Sequence, residues 1–181
     1  MLKWLIRKRL AAFEREYDYD MSYARDILEA DPGALLRFMK VMGMSTYRKG
    51  VPADAWYAAT VVATVAEDCG PCTQLVVTMA EREGVSSDVL RVVLERDVEA
   101  MSPDVALAYR FAHAALAHDP EADSLREQVV EHWGKKGLVS LAFAVTTARL
   151  FPTLKYALGH GRTCARVSVG GVSRVVAKSV G

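Results

Sequence analysis

Cysteine and proline are both scarce in this 181-residue chain, at three and six residues. Three cysteines are too few, and odd in number, for the disulfide scaffold of a small secreted domain. Neither sign of charge dominates. The 23 Lys+Arg against 22 Asp+Glu leave a net +1, which excludes the global basic field behind non-specific nucleic-acid binding. The apolar runs Ala55–Ala66 and Gly137–Ala148 fall short of the ~20 residues of a membrane span, and they read as buried core helices. Alternating apolar and polar residues, the mark of half-buried strands, are absent until the tail. Low-complexity segments and a domain linker are absent as well.

What remains is the composition of a well-cored globule, 51% hydrophobic and 25% charged. The opening stretch MLKWLIRKRLAAFERE does not read as a signal peptide, because Arg7, Lys8 and Arg9 interrupt its apolar residues. The expectation is a reducing, cytoplasmic setting.

The periodicity is helical almost throughout. Leu2, Leu5, Ile6, Leu10 and Phe13 form one apolar stripe, suited to packing on the domain or on a partner more than on a membrane. Asp31-Pro32, Ser102-Pro103 and Asp119-Pro120 each pair an N-cap with a proline, which loses nothing at a helix start because its missing N–H would have no intrahelical partner there. Gly43, Gly84 and Gly134 are the expected stops. The pattern predicts helices near 2–16, 21–30, 32–42, 53–68, 71–83, 87–98, 103–118, 120–133 and 136–150, with a short one near 153–159 after Pro152. Residues 44–52 read as a polar, mobile loop, and Val167–Val175 around Gly170-Gly171 as a hairpin or extended arm. The fold class is therefore all-α with a short non-helical C-terminal tail. A single domain is expected, with a helical extension over 1–50, a core over 51–160 and a tail over 161–181. Residues 61–76 can also be laid on 142–157, pairing Pro71 with Pro152 in a helix–break–helix pattern.

The sharpest chemical signal is Cys69-Gly70-Pro71-Cys72. Pro71 suits the opening of a helix, which puts Cys69 at or just before the helix N-terminus, where unpaired N–H groups and the macrodipole favour a thiolate. A two-residue spacer lets the pair close a disulfide. Cys72 shares a face with Val76 and Met79 and is expected to be buried, with Cys69 the more exposed thiol.

Three readings compete with two incidental core cysteines. Cys-Gly-Pro-Cys is the thioredoxin-type sequence, but that fold needs a strand before the motif and the segment here reads as a helix. Cys69, Cys72, His160 and Cys164 have spacings compatible with a four-ligand zinc site.

Third, the stretch DAWYAATVVATVAEDCGPCTQLVVTMAEREGVSSDVL (54–90), a buried helix running into a Cys-x-x-Cys that opens the next, resembles the carboxymuconolactone decarboxylase and alkylhydroperoxidase-D-like family. The resemblance extends in helical pattern over roughly 50–160. It implies a multi-helix, homo-oligomeric domain acting as a thiol-dependent peroxidase or disulfide reductase. Its substrate would be a small peroxide or disulfide, its regenerating partner a thiol reductant protein or small thiol, and it would need no cofactor. Cys69 and Cys72 would be the catalytic pair. Val76, Tyr57 and Gly70 stand where the family's peroxidases carry a His, a Glu and a His. Glu67 and Asp68 lie close to the thiols as candidate substitute proton acceptors, and Glu67 is the one expected to act with the pair. The alternative from another class is a non-enzymatic helical module with structural or zinc-bound cysteines.

The remaining histidines carry weaker signals. His113 and His118 are five apart and do not stack on one helical face. His132 reads as a helix-end cation. Arg149 and Lys155 flank Pro152 and suit an anionic substrate or salt bridges.

Overall fold

A computed structural model describes residues 1–161 and 166–175. In chain order the elements are α1 (Leu2–Tyr17), α2 (Ser22–Ala30), α3 (Pro32–Met39), the one-turn α4 (Met42–Ser45), α5 (Ala53–Ala66), α6 (Gly70–Arg82), α7 (Ser87–Glu95), α8 (Pro103–Ala117), α9 (Glu121–Ala157), β1 (Arg166–Val169) and β2 (Val172–Val175). The chain is predominantly helical, as its periodicity predicts.

α5 is the central element. Its small residues Ala55, Ala58, Ala59 and Ala63 are buried and let α6, α7, α8 and α9 approach closely. Its buried threonines return their hydroxyls to the helix, Thr60 to the Trp56 carbonyl at 2.8 Å and Thr64 to the Val61 carbonyl at 2.9 Å, so neither donor is stranded. The main core gathers around this helix with Leu90, Val105, Leu125, Val129 and Leu141.

A second cluster, Ile6, Leu10, Tyr19, Tyr23, Leu28 and Leu35, belongs to the N-terminal layer α1–α3, and Leu75 and Leu154 pack against it. Only part of the α1 stripe is used. Ile6 and Leu10 are buried while Leu2 and Leu5 remain exposed. Within the layer a Glu14–Arg25 ion pair joins α1 to α2, and the layer is tied to α6 by the Glu16–Arg82 ion pair and by Arg82 stacked on the Tyr17 ring.

The cap signals hold. The Asp31 carboxylate accepts from the Gly33 N–H at 2.7 Å, Ser102 from that of Val105, and Asp119 from that of Glu121 at 2.8 Å. Gly84 and Gly134 take positive φ, whereas Gly43 lies inside α4. At Gly134 φ is 69° and ψ 178°, which breaks α9 into two helical segments.

Three expectations need correction. Pro152 does not divide two helices, because α9 runs through it to Ala157. A helix-interior proline costs about 3 kcal/mol. Here the packing outweighs that cost: Pro152 is fully buried, Phe151 meets Phe38 edge-on at 5.6 Å, and Leu154 docks into the N-terminal layer. The helix–break–helix match of 61–76 to 142–157 therefore fails at its second half. Segment 44–52 is not a free loop either. The Lys49 N–H donates to Ser140 Oγ at 2.8 Å, the Ser140 hydroxyl reaches the Lys49 carbonyl at 3.0 Å, and Val51 is in the core.

The tail forms an antiparallel hairpin, Val169 opposite Val172, with positive φ at Gly170 and Gly171, the geometry of a two-residue turn that matches strand twist. β1 lies on α6 and buries Val167 and Val169. α9 is long and apolar enough to cross a bilayer by length and composition, but its Leu141, Ala144, Val145 and Ala148 face is buried within the fold.

Candidate functional site

The turn between α5 and α6 carries the cysteine pair. Cys69 is the N-cap of α6, Pro71 sits in its first turn, and Cys72 follows, so the local order is the one the motif predicts. The two sulfurs are joined as a disulfide, with the Cα atoms 5.2 Å apart. The segment leading in is helix α5, not a strand, so the thioredoxin arrangement is excluded.

The relative exposure of the cysteines differs from expectation. Cys69 is as buried as Cys72, at 3% and 4% exposed. At Cys72 the N-terminal layer contributes to the cover. Tyr19, in the connection between α1 and α2, lies over the motif with its hydroxyl 3.7 Å from Cys72 Sγ. Lys155, from the last turn of α9, donates from Nζ to the Tyr19 oxygen at 3.3 Å and lies 4.5 Å from the centre of the Tyr19 ring and 5.6 Å from that of Tyr23. Tyr19 and Lys155 are themselves 6% and 4% exposed. Burial, reinforced by Tyr23 and Asp20, raises the Tyr19 phenol far above its ordinary value. Burial and Asp20 push Tyr23 up to about 12. Both phenols thus keep their protons at neutral pH.

The turn before Cys69 is held from α9. The Arg149 Nε donates to Glu67 Oε1 at 2.5 Å and the Thr153 hydroxyl to Glu67 Oε2 at 3.3 Å. The Tyr156 hydroxyl donates to the Asp68 carbonyl at 3.3 Å. Glu67 is accordingly engaged by Arg149 and Thr153, and Arg149 makes the salt bridge that was one of its two expected fates.

The positions of the family's relay residues carry other contacts. Tyr57 donates to Glu83 at 2.8 Å, and Glu83 also pairs with Arg48. Burial and the Glu83 bond raise the Tyr57 phenol. Val76 packs against the main core. An apolar cavity of about 250 Å³ lies between α5, α7 and α8, lined by Val61, Val65, Leu94, Tyr109, His113 and Arg149.

The described members of the zinc arrangement, Cys69, Cys72 and His160, are not brought together as a metal site. Among the described residues no group of three or more His, Cys, Asp and Glu side chains could hold a metal. His160 instead meets Asp26 at 2.7 Å, and Cys164 lies outside the described residues. His132 pairs with Asp104 at 2.7 Å, and His113 stacks on Tyr109.

Tyr19 escapes the sequence reading, and Lys155 enters it only as a flank of Pro152. Tyr19 and Cys72 are 53 residues apart and Lys155 and Tyr19 are 136 apart, so no local pattern joins them. The one available signal is a lysine inside an otherwise apolar helical stripe, Phe151 to Leu158.

No protein-family model, curated protein or solved structure gives a significant match to this chain. The helical fold class and the disulfide-forming pair stand on the structure itself.

Proposed function

We propose that this is a thiol–disulfide redox protein in which Cys69 and Cys72 cycle between disulfide and dithiol. The observation that supports this most is the disulfide closed across the first turn of α6, where the helix N-terminus stabilises a thiolate once the bond opens. In the peroxide branch, one thiolate attacks the O–O bond, the alcohol leaves, and the sulfur becomes a sulfenic acid. The second thiol then displaces water and restores the disulfide. Two thiol equivalents from a small thiol or a reductant protein return the dithiol and leave oxidised. In the disulfide branch, the same dithiol passes its electrons to a substrate disulfide.

Glu67 remains the proton acceptor of the proposal, and it must release Arg149 before it takes a proton. A homo-oligomer and a cytoplasmic setting belong to the same reading.

Equilibration with glutathione, followed by steady-state consumption of an alkyl hydroperoxide with a dithiol, tests this. The expected result is a pair reducible in the folded protein, with weak turnover that Cys69→Ser or Cys72→Ser abolishes and Glu67→Gln lowers. A disulfide that stays closed until the protein unfolds would instead make it a structural staple of a non-enzymatic helical module.

A further inference from the structure

The hydrogen-bond directions around Cys72 are fixed by chemistry. A disulfide sulfur has no proton, and Lys155 already donates to the Tyr19 oxygen, so the Tyr19 O–H is directed at Cys72 Sγ. From this geometry we infer that Tyr19 and Lys155 act as a pair that holds the Cys72 sulfur as a thiolate when the bond opens. Cys72 is then the leaving group of reduction, and Cys69 the sulfur that a reductant attacks. The inference rests on the redox reading above.

The step balances without further reagents. A reductant thiolate bonds to Cys69 Sγ, the Cys69–Cys72 bond breaks, and its electron pair leaves on Cys72. A second reductant thiol then attacks the sulfur that the reductant contributed, frees Cys69, and leaves as the oxidised reductant. Cys72 needs no proton in this sequence, because the phenol bonds the sulfur and the lysine polarises the phenol. Tyr19 keeps its proton throughout, as its raised pKa requires. It is a donor to the anion and not an acid.

The site is built to make this effect large. All three groups are buried, so their electrostatic interaction is weakly screened. Cys72 is also within the first turn of α6, where backbone N–H groups add to the positive field. Among the described residues, the other titratable and charged groups beside the motif or Tyr19 include Asp20 and Tyr23 in the N-terminal layer, Glu67 and Asp68 before it, and Arg149 on α9. Glu67 is matched by Arg149, Tyr23 is neutral, and Asp20 receives the Ser22 N–H and hydroxyl. Lys155 is the cation that reaches the sulfur through the Tyr19 oxygen. Tyr19 and Lys155 are positioning residues.

Tyr19→Phe is the decisive variant, since it deletes the donor and keeps the ring that packs on Phe13 at 6.3 Å. In the reduced, folded protein, the pH profile of Cys72 alkylation, mapped by mass, should have its midpoint below the ~8.5 of a free thiol. Tyr19→Phe should move that midpoint up by about one pH unit, slowing Cys72 labelling about tenfold on the acidic side. Lys155→Met should act in the same direction and Lys155→Arg should restore the profile. At mildly alkaline pH, the glutathione equilibrium of Tyr19→Phe should shift several-fold toward the disulfide.

Should Lys155→Met not fold, Tyr19→Phe decides alone. A Tyr19→Phe protein that glutathione reduces normally, with an unchanged Cys72 profile, overturns the pair and leaves the redox reading standing. A wild-type disulfide that resists reduction in the folded state overturns both.

Discussion

Gly137 has no side chain because there is no room for one. A Cβ there would lie 2.3 Å from the Cβ of Trp133 and 3.4 Å from Val51. Gly137→Ala is expected to destabilise the protein by about 1–3 kcal/mol in urea unfolding, the usual cost of overpacking. Loss should show first at Lys49–Val51, which Ser140 holds one turn further along α9. The residues most legible in the sequence were those whose roles are local. Cys69, Pro71 and Cys72 announce a helix start and a closable pair within four positions. Tyr19 lies in a Tyr-Asp-Tyr-Asp run whose local pattern predicts only a turn, and its partners come from two other elements. The greater exposure expected of Cys69 was wrong as well, since its 3% exposure is a product of tertiary packing that a four-residue motif does not report.

At the scale of elements, α6 links the disulfide to the C-terminal hairpin. Its first turn holds the disulfide, its middle supplies Gln74, and Glu81 near its end accepts from the Gly170 N–H at 2.8 Å. The Gln74 amide imitates a neighbouring strand, with Oε1 accepting from the Ser168 N–H at 2.6 Å and Nε2 donating to the Ser168 carbonyl at 3.1 Å. Gln74→Ala leaves two backbone groups of β1 without these partners, at about 1–3 kcal/mol for each group that stays buried. Hydrogen exchange should rise at 166–169 and hold steady in α5 and α8. Helix starts were readable because caps and prolines act within one turn. The continuation of α9 past Pro152 was not, because it is decided by the packing of Phe151 and Leu154 against α1–α3. The hairpin was half-visible: Gly170-Gly171 marks the turn, but nothing in the tail shows that Gln74 anchors it.

For the whole molecule, the buried phenols set the alkaline limit. Tyr19 and Tyr23 have folded-state pKa values raised above the ordinary ~10 of an unfolded chain. Above that pH the unfolded state releases protons that the native state keeps, so stability falls as pH rises. The contribution is fully present below pH ~10 and declines by about 1.4 kcal/mol per pH unit for each phenol until Tyr23 titrates near 12. Denaturant midpoints measured across this window should fall steadily. The phenolate absorbance of these two residues should rise with unfolding and not before it. Tyr57 and Tyr109 are raised as well, so Tyr23→Phe should flatten the slope by roughly a quarter, the share of one phenol among four.

The contact between Tyr19, Cys72 and Lys155 also orders events in time. It joins residues separated by 53 and 136 positions, so it closes only after α9 has been made and docked. Contacts of such long sequence separation form late, since loop closure must be met before they contribute. A growing chain on the ribosome therefore presents both cysteines to surrounding thiols from their emergence until α9 has docked. Their first oxidation state is therefore set by the surroundings of the nascent chain, and the Tyr19 contact at Cys72 is added afterwards.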